Sequence, residues 1–255
     1  MTALRLADAG EAADLAAFLA RLIHYDRAAA VRLQAGNGVL AVFGRPPSFE
    51  VLAIRTARLA PDVPGPQTGT GASPAVGLDR TVSAGDLLEG IDEAADGLTL
   101  PAAVTGPPWA GVLPPRGGWQ QVPGLPSPQA LGRAVALAVA EFRARDEALP
   151  PERRTRAERD RIGREIWSRT LGDTHLPLRA AHAAQSLGFL RPARAEAQAG
   201  AHGPTGGGPG SAGAALAKPP TLTLLAAGGW LRLRTPYGSV AVRTGGPSAL
   251  PVTPA

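Results

Sequence analysis

The chain has 255 residues, 44% of them hydrophobic and 18% charged, which supplies a sizeable core and excludes wholesale disorder. It contains no cysteine, which excludes a disulfide framework, thiol catalysis and cysteine-ligated zinc or iron–sulfur centres. Its 26 basic and 21 acidic residues give a net charge of +5, and every basic residue except Lys218 is an arginine, as a GC-rich coding sequence of the high-GC actinobacterial kind produces.

Residues 9–25 predict an amphipathic helix. Asp8 and Glu11 make a capping-box-like start, and Leu15, Phe18, Leu19, Leu22 and Ile23 fall on one face. Three β-prone runs follow at 31–35, 39–43 and 49–56. Asn37-Gly38 supplies a tight hairpin and Pro46-Pro47-Ser48 a second turn, giving a three-stranded meander. Residues 60–77 read as a Pro/Gly/Thr loop, and 83–95 as a short helix with Ser83 as N-cap and Asp86 at N3. The next segment, 101–128, is proline-rich and carries Trp109 and Trp119. Prolines 101, 107, 108, 114 and 115 forbid a membrane helix over the apolar stretch 97–115.

From 128 the pattern is helical. Leu131, Val135, Ala138, Val139 and Phe142 form a core stripe, and Pro150-Pro151 end that helix before another opens at 152. A third helix is expected over 177–190, opened by Pro177, with Asp173 capping it. Residues 199–218 read as a flexible linker, low in complexity over 199–215. Beyond it, 222–244 repeats the layout of 31–56, with LAIRT answered by VAVRT. Common ancestry and a chance likeness of two hairpins both account for this. A lone three-stranded meander buries too little to stand by itself, so the two are expected to share one sheet or pack on the same helices.

The fold expected is α+β: an N-terminal helix, two three-stranded antiparallel meanders and a central group of three helices. Its segments are 1–58 (helix and first meander), 59–128 (loops with a short helix), 129–198 (helices), 199–218 (linker) and 219–244 (second meander), in one compact domain. No secretory signal pattern occupies residues 2–10, so a cytoplasmic location is expected.

Charge is uneven along the chain, at −4 over 1–100, +4 over 101–171 and +5 over 172–255. The region 152–171 holds seven arginines, Arg153, Arg154 and Arg156 among them, against four acids. Guanidinium groups there would suit phosphates, whereas Glu158–Arg161 and Asp160–Arg164 spacings suit a solvated, salt-bridged face. Residues 180–197 carry an Ala-x-x-Leu-Gly-aromatic cadence that resembles the turn of helix-turn-helix modules. Ala184 stands at the close approach, Gly188 at the turn, Pro192 at the start of a second helix, and Arg191 and Arg194 outward. Arg194 departs from the pattern, because such modules usually bury Val or Ile there.

Asp173, His175 and His182 match no compact ligand spacing, and neither a metal nor a cofactor is expected. Signatures of a nucleophile elbow, a dinucleotide fingerprint or a P-loop are also absent. The remaining feature is GPPWAGVLPPRGGWQ (106–120), in which two indoles flank Arg116 on stiff backbone. These observations lead to a non-catalytic binding or regulatory protein of a bacterial cytoplasm, with a protein partner, no membrane, and Trp109, Arg116 and Trp119 at the contact surface. The alternative is nucleic-acid binding through Arg153, Arg154, Arg156, Arg164, Arg191 and Arg194.

Overall fold

The computed structural model describes residues 2–61, 77–191 and 222–244. The expected linker 199–218 and nearly all of the loop 60–77 lie outside them. Within the described residues the fold is α+β.

The chain opens on a short strand, β1 (Ala3–Arg5), and enters α1 (Ala9–Tyr25) at Asp8, whose carboxylate accepts from the Glu11 amide at 2.9 Å. Ala12, Leu15, Phe18, Leu19 and Leu22 are buried on one side of α1. The first meander is β2 (Ala30–Gly36), β3 (Val39–Gly44) and β4 (Leu52–Arg58). Asn37 and Gly38, at φ +52° and +71°, make the two-residue turn that the sequence demands. After the undescribed stretch come β5 (Asp79–Ser83), α2 (Ala84–Glu89), β6 (Ile91–Asp92) and β7 (Gly97–Thr99). The short helix thus spans half of the 83–95 expected. Ser83 caps it as foreseen, but the chain then returns through a hairpin that pairs β7 with β1 and β6.

The second half supplies β8 (Gln120–Val122), α3 (Pro128–Glu147), α4 (Arg156–Trp167), α5 (Leu178–Ser186), and the second meander β9 (Thr223–Ala227), β10 (Trp230–Thr235) and β11 (Gly238–Arg243). The Arg-rich region is not one helix from 152. Pro151–Arg153 forms a 3-10 turn, and α4 starts only after Thr155, whose hydroxyl accepts from the Glu158 amide. Asp173 does not cap α5. Pro177 occupies the cap position without a side-chain bond, and Thr174 shapes the preceding turn by donating to the Leu171 carbonyl at 2.6 Å.

Both meanders lie in a single eight-stranded antiparallel sheet of order β5-β2-β3-β4-β11-β10-β9-β8. The seam is β4 against β11, with Ile54 opposite Ser239, Ala53 opposite Val240 and Leu52 opposite Ala241. Third strand meets third strand, so the halves are arranged about a local two-fold axis at Ile54 and Ser239. Hairpin registers equate Ala53 with Gly238, since their partners Gly44 and Thr235 occupy matching places in β3 and β10. The LAIRT/VAVRT likeness is therefore three residues out of register and sets opposite faces against each other. Its cause is the connection. Residues 45–51 separate β3 from β4, whereas Pro236 and Tyr237 alone separate β10 from β11.

Period-2 alternation gives the sheet two apolar faces. One carries Val31, Leu33, Leu40, Val42, Ala53, Leu233, Val240 and Val242 against the helices. Arg55 also points to this side. It donates to Glu11 Oε2 at 2.9 Å, Asp14 Oδ2 at 3.4 Å and the Tyr237 carbonyl at 3.1 Å, tying α1 to both meanders. The opposite face carries Phe43, Leu52, Ile54, Trp230 and Ala241, and among the described residues no α-helix packs on that cluster.

Candidate functional site

That second face is covered instead by the proline-rich segment 101–119, which crosses it as a strap. The strap starts at the edge of β5, where the Val104 amide donates to the Thr81 carbonyl at 2.9 Å. A Cβ on Gly106 would meet Thr81 Oγ1 at 2.9 Å, so glycine is what lets the backbone lie so close. A 3-10 turn, Pro108–Gly111, then sets Trp109 onto the sheet, and the strap leaves near the β9–β10 turn, where Pro115 faces Gly228. Trp109, Leu113 and Trp119 pack on the cluster of Phe43, Leu52, Ile54, Trp230 and Ala241. Trp119 also donates its indole N–H to the Pro115 carbonyl at 3.0 Å, which pins the strap to itself.

Of the sequence-predicted contact residues, Trp109 and Trp119 are half-buried, so each serves as cover for the sheet while keeping an accessible edge. Arg116 is exposed. Its charge reaches Asp79, whose carboxyl feels burial pushing it up and, prevailing over that, hydrogen bonds from Arg32 and Gln34 holding it below its ordinary value. The three residues share the strap but do not converge on one point.

Trp109 does open onto a cleft of about 500 Å³ between strap and sheet. Its walls include Trp109 and Val112 from the strap, Trp230 and Leu52 from the sheet, and the guanidinium groups of Arg45, Arg179 and Arg243. Val112 is 46% exposed, an apolar rim facing solvent. Among the described residues Glu50 is the one carboxylate on the lining, and it is 72% exposed. Arg179, on the first turn of α5, comes no closer to it than 3.9 Å, and its buried Nε has no hydrogen-bond partner among the described residues. Arg243 lies over the Trp230 ring at 5.6 Å, and neither it nor Arg45 has an ion pair among the described residues. A second cleft of similar size, floored by Leu22 and rimmed by Asp26, Ser83 and Val104, lies on the other side of Trp109 and shares Arg45.

Farther along the same face, Arg232 and Arg234 stand two apart on β10. Arg232 hydrogen-bonds to the Ser239 hydroxyl, at 2.8 and 2.9 Å, and sits 5.7 Å from the Trp119 ring. Burial, and secondarily the charge of Arg234, push its guanidinium below the ordinary value.

The alternative arginine set falls differently. Arg153 pairs with Glu158 at 3.1 Å, Arg156 lies 3.9 Å from Asp160, and Arg154 donates to the Glu147 and Leu149 carbonyls at the end of α3. Arg164 is exposed without an ion pair among the described residues, and the expected Asp160–Arg164 pair does not form. Arg191 is ion-paired with Asp14 and stacked 3.7 Å over the Tyr237 ring, on the far side of the sheet from the strap. Arg194 lies outside the described residues. An acid thus stands beside Arg153, Arg156 and Arg191, and the set shares no acid-free face. In the helix-turn-helix-like segment, Gly188 has the positive φ expected, +74°. But Ala180, Ala181, Ala183 and Ala184 are buried, so α5 is a core helix, and the second helix would fall beyond Arg191, outside the described residues.

His182 is half-buried, stacked on Trp167 at 4.3 Å and edge-on to Phe49 at 5.1 Å. Burial lowers its pKa from the ordinary histidine value. Among the described residues no three acidic or histidine side chains are grouped to hold a metal, and no helix is long and apolar enough to cross a membrane.

Sequence reasoning singled out Trp109 and missed Arg45, Arg179, Arg243 and Trp230. The alternation in GSVAVR would have put Ser239, Ala241 and Arg243 on one face, but nothing local brings Arg179 to meet them.

Comparison with known proteins divides the chain within the strap. Residues 1–111 match the domain of unknown function DUF8010, and residues 114–247 match the domain of unknown function DUF8185. Each stretch contributes four strands to the large sheet, and the seam between β4 and β11 is where they meet. No curated protein and no solved structure matches the chain. Because the second match spans more than half of its length, the chain belongs to the family of the domain of unknown function DUF8185.

Proposed function

We propose that the chain is a non-catalytic binding protein of the bacterial cytoplasm, and that the strap cleft beside Trp109 receives an anionic ligand. The observation that carries this is that Arg45, Arg179 and Arg243 all line one cleft of mixed polar and apolar surface, whose one carboxylate among the described residues is solvent-exposed. Arg45 and Arg243 meet no carboxylate among the described residues and Arg179 only the distant Glu50, so positive charge is left for a partner to neutralise. Walls of indole and aliphatic side chains with a few convergent charged groups are the make-up of a small-molecule site. Arg116 and Trp119 belong to the same surface through the strap, Trp119 by fixing its path and Arg116 by adding positive charge at its rim.

The test is a titration of the full-length protein with a panel of anionic small molecules, followed by tryptophan emission, since Trp109 and Trp230 both line the cleft. Saturable binding that weakens with salt and is lost in Arg243→Gln supports the reading. If no anion perturbs the emission of the folded protein at low salt, the cleft is not a binding site and the proposal falls.

A further inference from the structure

We infer that the ligand of the strap cleft is a phosphomonoester carried on a flat ring, a conclusion that rests on the binding role proposed above. The first support is charge. Three guanidinium groups against one carboxylate leave the lining with an excess of two positive charges. A phosphomonoester carries about −1.5 to −2 at neutral pH and balances that excess, whereas a monocarboxylate leaves roughly half of it uncompensated.

Geometry of the donors is the second support. Guanidinium groups present planar forks that match phosphate oxygens, and three of them arriving from β3's end, α5 and β11 approach from different directions, as the three oxygens of a phosphate require. Arg179 has no carboxylate closer than Glu50 at 3.9 Å among the described residues, so its guanidinium is not already clasped when a phosphate oxygen arrives. The third support is the other wall. Trp109, Trp230 and the exposed Val112 offer apolar and aromatic surface next to the charge, so the phosphate is expected to be attached to a ring able to lie against an indole. A volume of about 500 Å³ accommodates a ligand of that size.

Calorimetry on the full-length chain with four probes separates the possibilities: adenosine 5′-monophosphate, adenosine, inorganic phosphate and 2-naphthoate. The inference expects the nucleotide to bind at least about tenfold more tightly than adenosine, with inorganic phosphate competing. Arg179→Gln and Arg243→Gln should each weaken the nucleotide about tenfold or more. Arg243 is exposed at the end of β11, so its variant keeps the test valid if the α5 variant fails to fold. Naphthoate binding as tightly as the nucleotide overturns the phosphate assignment and leaves the anion-binding role standing. Silence from every probe, together with silence across the anion panel, overturns both.

Discussion

On and around α3 and α4 several arginines find carboxylates. Arg145 forms a two-pronged bond to Glu165 at 2.7 Å, Arg169 grips Glu141 at 2.7 Å, Arg159 meets Asp146 at 2.7 Å and Arg161 meets Glu158 at 2.7 Å. On the strap face of the sheet, Arg45, Arg232, Arg234 and Arg243 find none among the described residues. The most arginine-dense stretch of sequence is thus the more neutralised region. Its charge is consumed in clasping two helices, and hydrogen bonds from Arg169, Arg161 and Arg145 hold the carboxyls of Glu141, Glu158 and Glu165 below their ordinary range. The strap face has fewer arginines and few acids: Arg32 meets Asp79 at 2.6 Å, Arg232 a hydroxyl, and Arg243 lies over an indole. Local scarcity of acid, rather than density of base, distinguishes the surface proposed to receive an anion.

The contrast is sharpest where an arginine is both buried and paired. Arg55, with its side chain 7% exposed, shares its charge with Glu11 and Asp14 at 13% and 14%. Arg55→Ala leaves Glu11 to Arg58 and Asp14 to Arg191, and removes the bond to the Tyr237 carbonyl, so it should destabilise the fold by about 1.5–3 kcal/mol, measured by urea denaturation. A loss under about 1 kcal/mol, the range of exposed pairs, would mean that burial does not separate this arginine from those of α4.

Between helices and sheet lies His182, kept neutral by burial between Trp167 and Phe49. Its folded pKa lies below the unfolded value near 6.5. The unfolded chain therefore takes up a proton first as pH falls. The contribution of the neutral ring is fully present above about 6.5 and is lost progressively below it. Thermal melts from pH 7.5 to 5 should show this decline, and His182→Phe, which keeps an aromatic ring in the stack, should reduce it. An unchanged decline in that variant would assign the pH dependence to other groups.

The smallest effect belongs to the helix clasp. Arg169→Ala removes an exposed pair, so its melting temperature should drop only slightly, and the difference should vanish near 1 M salt, where the screening length falls to about 3 Å. A large, salt-insensitive drop would show the α3–α4 pairs to be structural rather than solvated.

Much of the fold was legible because its signals are local. The α1 bounds, the Asn37-Gly38 turn and the stripe Leu131, Val135, Ala138 follow from capping, positive φ and periodicity. Thr155 and Glu158 also spelled a capping box that splits the Arg-rich region, overshadowed in the sequence by the run of arginines around it. β5 and β8 were not legible. Three residues, Gln120–Val122, carry no alternation to read and become a strand only because β9 offers them a ladder. The cleft divides in the same way. Trp109 stood out as an indole in a proline-rich segment, but Arg45, Arg179 and Arg243 meet through the pairing of β4 with β11 and the docking of α5, which no window of sequence contains.

That pairing has a consequence for how the chain is made. β11 is the last described strand, yet it sits at the middle of the sheet beside β4, which leaves the ribosome far earlier. Until β11 emerges, an N-terminal half that has already folded displays β4 as an open edge, its outer row of backbone N–H and C=O groups unpaired. Such an edge is a template for any passing strand. Synthesis that stalls before Thr223 would leave that edge exposed, so this hazard of self-association falls on incomplete chains and is removed at β4 when the hairpin of β10 and β11 docks.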